Sequence, residues 1–185
     1  MNSLERLIAS GRGQPLDCVP VAPGIGHYAA VKAGQPMTKV TWNPELMAEE
    51  EFSFFYLEQL IRHLKRLGSL VLLHICNDTT RLLNRMVEIG ADILSLDVQV
   101  DLAEAKKIVA GRAGISGNVA TWNLTSLSPQ KIYEEACRCI DKAAAGRRYT
   151  LGSSCEGPYE TPEENIDAMV RAAREYGAQY LDHQR

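Results

Sequence analysis

Strand-like and helix-like segments alternate without a break from residue 69 to residue 177. Each of four short apolar runs is followed by a longer segment whose apolar residues recur at helical spacing. The predicted strands are residues 70–76, 91–97, 114–119 and 149–154. This alternation favours a parallel sheet with helices outside it. Units of roughly 25 to 35 residues fit either a (β/α) barrel or a doubly wound sheet.

Helix boundaries in this region carry familiar capping signals. Asp101 and Glu104 form a capping-box pattern, and the pairs Ser128–Pro129 and Thr161–Pro162 each place a proline at the start of a helix. Gly90 ends the first helix at a position where glycine is common. The predicted helices are residues 79–89, 101–110, 128–144 and 161–176. No Gly-x-Gly-x-x-Gly pattern follows a predicted strand, so the sequence does not indicate a dinucleotide site.

The amino-terminal third of the chain follows a different pattern. Residues 19–23 predict a short strand, and residues 39–42 are a candidate for another. A helix is then predicted from residue 44 to residue 67, which is long for an α/β protein. The count is therefore five or six parallel strands, too few to close an eight-stranded barrel.

His74 and Cys76 are the residues whose placement best suits chemistry. They close the apolar run of residues 69–73, and side chains two apart on a strand point to the same face. An imidazole beside a thiol suits zinc, which takes nitrogen and thiolate ligands. A histidine or cysteine at a strand end is, however, more often an ordinary core residue. Cys155, at the end of another predicted strand, is a third candidate ligand and favours the metal site.

Composition and charge exclude several classes of protein. A chain of 185 residues is long enough for one good core, so a single domain over residues 1–185 is expected. The net charge of −3 gives no electrostatic footprint for nucleic acid. No apolar stretch is long enough for a membrane span, and residues 1–8 lack a signal-peptide core. We therefore expect a cytoplasmic protein, whose five cysteines are more often free, catalytic or metal-binding than paired.

Five stretches carry a wider pattern, namely residues 73–76, 90–97, 117–119, 152–155 and 161–165. Together they resemble the uroporphyrinogen decarboxylase superfamily, and within it the cobalamin-dependent methyltransferase branch of the methylcobalamin:coenzyme M type. The resemblance implies an α/β fold derived from the (β/α)8 TIM barrel, with its active site at the carboxyl ends of the strands.

The resemblance also implies a reaction and its cofactors. In that branch, the residues matching His74, Cys76 and Cys155 bind zinc, and the zinc binds a thiol substrate. The implied activity moves a methyl group from a methylated corrinoid, such as methylcobalamin, to a small thiol. A separate corrinoid protein is then a possible partner.

Three further residues are candidates for this site. Asp97 and Asn118 lie at the carboxyl ends of the predicted strands 91–97 and 114–119 and are proposed catalytic residues that hydrogen-bond the His74 ring or the substrate. For both, a helix cap or turn residue is an equally good interpretation. His27, after the first predicted strand, is a candidate for cofactor binding, although an ordinary loop histidine is the simpler interpretation.

The chain departs from the family pattern by a missing segment. The second to fourth strands of the barrel are absent, with an apparent deletion junction near residues 49–54. Residues 1–50 would then supply the first strand and helix, and residues 51–185 the last βα units. Losing three strands would leave unpaired sheet edges through which the protein could form a homo-oligomer.

Two local departures bear on function. Asn77 stands where the family usually has glycine, a change that the backbone tolerates if it needs positive φ, since asparagine visits that region readily. The decarboxylase branch proper grips its substrate with arginines, and residues 20–28 contain none, which argues against porphyrin decarboxylation. The alternatives to the methyltransferase are a uroporphyrinogen decarboxylase-like protein, a truncated, inactive metal-binding homologue, and a module that binds metal or a corrinoid-like ligand without turnover.

Overall fold

The computed structural model describes residues 3–19 and 50–182. The strands are β1 Leu72–His74, β2 Ile93–Ser95, β3 Gly114–Val119 and β4 Tyr149–Ser153. The helices are α1 Ser3–Arg12, α2 Glu50–Arg66, α3 Leu83–Glu88, α4 Leu102–Val109, α5 Thr121–Ser126, α6 Pro129–Ala143, α7 Glu163–Arg171 and α8 Gln179–Asp182. A 3-10 turn, Thr80–Leu82, precedes α3, and a π-helical turn, Ala172–Tyr176, follows α7.

The four strands form one parallel sheet in the order β1–β2–β3–β4. Every residue of β3 and β4 is buried, as expected for a parallel sheet covered by helices. On β1, by contrast, Leu72 is 45% exposed. The α/β fold with parallel strands predicted from the sequence is therefore confirmed. His27, the predicted strand at 39–42 and most of the one at 19–23 lie outside the described residues.

Several predicted helix boundaries agree with the structure. The Asp101 carboxylate accepts hydrogen bonds from the backbone N–H groups of Ala103 and Glu104, at 2.9 and 3.0 Å, and so caps α4. Pro129 is the first residue of α6, directly after Ser128. Gly90 has φ +93°, the left-handed conformation that ends α3 and its flanking turn.

Other boundaries differ from the prediction. The hydroxyl of Thr161 donates to the carbonyl of Pro158 at 2.7 Å, so this side chain closes the preceding turn and α7 begins only at Glu163. The first strand ends at His74 rather than at Cys76, since its ladder with β2 stops there. The short helix α5 was not predicted, because its six residues give too little periodic signal.

Helix α1 lies across the amino-terminal ends of the strands. Its Ser10 hydroxyl donates to the carbonyl of Tyr149 at 2.9 Å, at the start of β4. The Arg148 guanidinium donates to the carbonyl of Gly11 at 2.6 Å and so satisfies the end of the helix. A Cβ atom on Gly114 would lie 3.4 Å from the Cα of Gly11, so glycine allows the helix to approach β3 closely. In the described part of the chain, no helix is both long and apolar enough to cross a membrane.

Candidate metal centre

Three side chains meet at the carboxyl ends of the two outer strands. His74 is the last residue of β1, Cys76 follows it by two residues, and Cys155 lies two residues beyond β4. The His74 Nε2 atom is 3.3 Å from the Cys76 Sγ atom, which is 3.7 Å from the Cys155 Sγ atom. All three ligand atoms lie within 4.8 Å of one another. The structure therefore brings together the three ligands that the sequence predicted.

This convergence also reports the shape of the sheet. In a flat sheet, the first and fourth strands would be about 14 Å apart, because neighbouring strands are spaced by about 4.8 Å. The Cys76 and Cys155 sulfur atoms, which follow those strands, are only 3.7 Å apart. A sheet that curls like the wall of a barrel, with both side chains pointing inward, accounts for this short distance.

Two of the three separations between the candidate ligand atoms are close to those of a tetrahedral zinc site. With zinc–sulfur bonds of about 2.3 Å and zinc–nitrogen bonds of about 2.0 Å, tetrahedral geometry puts two sulfur ligands about 3.8 Å apart and sulfur and nitrogen about 3.5 Å apart. The measured separations are 3.7 Å between the two sulfur atoms and 3.3 Å between Nε2 of His74 and Sγ of Cys76. Three protein ligands are also the number found in catalytic zinc sites, where a fourth position stays open for substrate.

The His74 ring is held by the neighbouring strand. Its Nδ1 atom lies 3.1 Å from the carbonyl oxygen and 3.2 Å from the hydroxyl oxygen of Ser95, which is directly opposite His74 in the β1–β2 register. A carbonyl oxygen only accepts hydrogen bonds, so the Nδ1 atom donates to Ser95, and Nε2 is the nitrogen that faces the Cys76 sulfur. The Nδ1 contacts thus go to Ser95, and the described contacts of the ring do not include Asp97 or Asn118.

Asp97 contacts the loop that carries Cys76. Its Oδ2 atom accepts a hydrogen bond from the backbone N–H of Asn77 at 2.9 Å. Asn77 has φ +69°, so the positive φ that would make asparagine acceptable in place of glycine is present. The side chain of Gln99 also donates to the Asn77 side-chain oxygen at 3.4 Å. Asp97 and Gln99 therefore fix Asn77, the residue next to the candidate ligand Cys76.

Asn118 makes its hydrogen bonds within the protein. Its side-chain amide donates to the carbonyls of Asp97 and Val100 at 3.0 and 2.8 Å, and its oxygen lies 3.8 Å from the Cys139 thiol. The side chain is only 8% exposed. Asn118 lies within β3, and these contacts tie that strand to the segment that follows β2.

The metal-free cluster keeps Cys76 protonated. Partial desolvation raises the pKa of the Cys76 thiol to about 11, and the adjacent Cys155 thiol and the Asp97 carboxylate contribute to the same shift. The thiol is therefore neutral at pH 7 when the cluster holds no cation. A divalent cation reverses this preference because it stabilises the thiolate.

Sequence reasoning missed the contribution of Ser95. The signal was present, since Ser95 and Asp97 are the polar positions, two apart, that close the apolar stretch 91–97. Their role depends on which residue of β1 stands opposite, and that register is visible only in the folded sheet.

The curled parallel sheet and the thiol–imidazole cluster at its carboxyl edge define a barrel-derived α/β protein with a candidate metal centre. More particularly, the chain belongs to the uroporphyrinogen decarboxylase (URO-D) family, whose sequence model matches residues 50–176. The family expected from the sequence is thus confirmed.

Relatives in this family carry two different activities in their names. The methylcobamide:CoM methyltransferase MtaA of Methanosarcina barkeri is 32% identical over 170 residues, covering 89% of this chain and 49% of the relative. The uroporphyrinogen decarboxylase of Anaeromyxobacter dehalogenans is 30% identical over 154 residues, covering 80% of this chain and 43% of the relative. The chain therefore spans about half the length of the curated relatives that it matches.

A solved structure supports the fold. The methyltransferase from Methanosarcina mazei aligns with a TM-score of 0.62 at 23% identity, covering 94% of this chain and 47% of the solved one. This likeness confirms the barrel-derived architecture. The described residues form four parallel strands, too few to close a barrel by themselves.

Proposed function

We propose that this chain is a zinc-dependent methyltransferase that moves a methyl group from a methylated corrinoid to a thiol acceptor. The observation that carries the proposal is the cluster of His74, Cys76 and Cys155, whose ligand atoms lie within 4.8 Å of one another, with two of the three separations close to those of a tetrahedral zinc site. Sequence identity alone does not choose between the two named activities, because the methyltransferase and decarboxylase relatives match at 32% and 30%.

The chemistry of the donors favours methyl transfer. Two thiols and an imidazole form a donor set that suits zinc, and bound zinc would supply a Lewis acid that favours the deprotonated form of an acceptor thiol. In the proposed reaction, the acceptor thiol loses its proton and gains the methyl group. The electron pair of the broken cobalt–carbon bond stays with the corrinoid, which leaves with its cobalt reduced by two electrons.

The chain's own residues would hold and orient this site. His74 offers its Nε2 lone pair because Nδ1 bonds Ser95. The two cysteines approach from the two edge strands of the sheet, β1 and β4. The site opens at the carboxyl edge, where barrel enzymes bind substrates. Asp97, which stabilises the adjacent loop, and His27, outside the described residues, remain candidates for substrate or corrinoid contacts.

The test combines zinc content with methyl transfer. Purified wild-type protein should hold close to one zinc and should transfer methyl groups from methylcobalamin to at least one of a panel of thiols that includes coenzyme M and homocysteine. Cys155→Ser should lose both properties, while Cys137→Ser, a change on α6 away from the cluster, should keep both. Zinc without transfer to any thiol would support the inactive metal-binding alternative, and full zinc retention in Cys155→Ser would refute the assigned ligands.

The internal gap is a second part of this proposal. We infer that one barrel-derived domain has lost its second to fourth strands, with the join near residues 49–54. Helix α2 runs without interruption from Glu50 to Arg66, so the join would lie at or before its first turns. Sequencing the gene and its transcript across codons 45–60 tests this, and an intervening coding segment in either would refute it.

A further inference from the structure

Two candidate ligands at the end of β1 lie beside two polar residues at the end of β2. His74 is the last residue of β1 and Ser95 is the last residue of β2, and the two stand directly opposite each other in the parallel register. Cys76 and Asp97 each lie two residues beyond their strand, past the end of the ladder, and there the Asp97 carboxylate accepts a hydrogen bond from the N–H of Asn77, next to Cys76. Each candidate ligand therefore has a hydrogen-bonding side chain beside it or beside its neighbour in the chain.

Ser95 acts on the histidine. Its carbonyl and hydroxyl oxygens lie 3.1 and 3.2 Å from the His74 Nδ1 atom, which fixes both the plane of the ring and the nitrogen that carries the proton. The opposite nitrogen, Nε2, is then directed at the Cys76 sulfur, 3.3 Å away. A ring free to rotate or to exchange its proton between nitrogens would present a metal ligand only part of the time.

Asp97 acts on the cysteine through the backbone. Its carboxylate accepts from the Asn77 N–H at 2.9 Å and from the Gln99 N–H at 3.4 Å. Asn77 is bonded directly to Cys76 and holds φ +69°, a conformation that needs support in a residue other than glycine. The carboxylate thus fixes the turn that directs the Cys76 side chain toward Cys155.

We propose that Ser95 and Asp97, which we call the β2 clamp, are positioning residues that hold His74 and Cys76 in metal-binding geometry before the metal arrives. The inference rests on the proposed function, because it gives the clamp its purpose in that same site. It assigns Asp97 to a role in ligand positioning that does not require contact with the substrate.

The sheet offers a matched control for Asp97. Asp92, just before the other end of β2, accepts a hydrogen bond from the Val71 N–H at 2.9 Å and forms an ion pair with Lys65 at 2.8 Å. Like Asp97, it joins the β2 segment to the backbone of the β1 segment, but it does so away from the ligands. Asp92→Ala therefore reports what the loss of such a link costs the sheet alone.

The experiment measures the zinc dissociation constant of the full chain by competition with a chromophoric chelator. Asp97→Ala should bind zinc about 10- to 100-fold more weakly than wild type, the usual cost of losing a group that orients a ligand. Asp97→Asn keeps an oxygen for the Asn77 N–H and should recover most of the affinity. Ser95→Ala keeps the carbonyl contact with His74, so its loss of zinc affinity should lie near the lower end of that range. Ser95→Thr, which keeps a hydroxyl group, should restore the affinity.

Cobalt substitution separates positioning from folding. The thiolate-to-cobalt absorption of the Co²⁺-loaded protein should weaken in Asp97→Ala and stay unchanged in Asp92→Ala, with circular dichroism confirming that both are folded. Equal zinc affinities in Asp97→Ala and Asp92→Ala would overturn the clamp while leaving the proposed function intact. A wild-type protein that binds no zinc would overturn the proposed function and the clamp together.

Discussion

Zinc bound by both cysteines would cross-link the two edge strands of the sheet, and the effect of this cross-link on the stability of the protein can be predicted. Cys76 and Cys155 are 79 residues apart in sequence and follow the outer strands β1 and β4. As long as the metal keeps both cysteines joined in the unfolded chain, closing a loop of that length removes unfolded-state entropy worth about 4.5 kcal/mol at 25 °C. In a chain of this size, each 1 kcal/mol shifts Tm by about 2–4 °C, so the ceiling on the zinc-dependent shift from this loop is about 9–18 °C.

The assay is thermal unfolding followed by circular dichroism, with stoichiometric zinc and with chelator. Zinc should raise the Tm of wild type by several degrees, up to that ceiling. In Cys155→Ser, the remaining ligands, His74 and Cys76, are two residues apart and close no long loop, so most of the shift should vanish. Cys137→Ser should behave like wild type. An equal zinc-dependent shift in Cys155→Ser would refute the reasoning, because the cross-link would then contribute nothing.

Two further predictions concern the backbone near the site and the stability of α4. Asn77→Val should destabilise the protein by about 1–2 kcal/mol, because a β-branched residue is strained at the left-handed φ of +69°. Asn77→Gly should be tolerated at the same position. Equal urea midpoints for the two variants would contradict the left-handed conformation. Asp101→Ala should cost about 1 kcal/mol, since the carboxylate caps α4. The hydrogen bond from Lys142 and those from the Glu104 and Ala103 N–H groups lower the pKa of Asp101. Its contribution is therefore complete at neutral pH and is lost as pH falls through the folded-state pKa, so urea titrations should show the wild-type advantage shrinking in acid; an advantage independent of pH would contradict this.

Sequence patterns predicted the fold well where local and tertiary preferences agree. The Asp101 cap and the start of α6 at Pro129 depend on residues within one turn, so local chemistry determines them. The end of β1 and the start of α7 depend on contacts outside the segment. The strand predicted from the sequence continues past His74 to Cys76, but the ladder with β2 ends at His74. The Thr161 hydroxyl donates to the carbonyl of Pro158 in the turn before α7.

The candidate metal centre was predictable in its ligands but not in its supports. His74, Cys76 and Cys155 are distinctive residue types at distinctive positions, and strand periodicity combined with the family resemblance identified them. The partner of the His74 ring could not be predicted, because a shift of the register would place another residue opposite it. Asn118 is another polar residue near the end of a strand, but its side chain bonds the backbone of the neighbouring segment rather than a residue of the cluster.

Helix α1 has a consequence for the order of events in the proposed reaction. Because it lies across the amino-terminal ends of the strands, with Ser10 and Gly11 against β3 and β4, donor and acceptor would both reach the cluster from the carboxyl edge. A corrinoid is much larger than a small thiol, and once seated over the cluster it would block the thiol's approach. The thiol should therefore bind first. An unreactive corrinoid analogue should then inhibit uncompetitively with respect to the thiol. Mixed inhibition would contradict this order, because it would mean that the corrinoid also binds before the thiol.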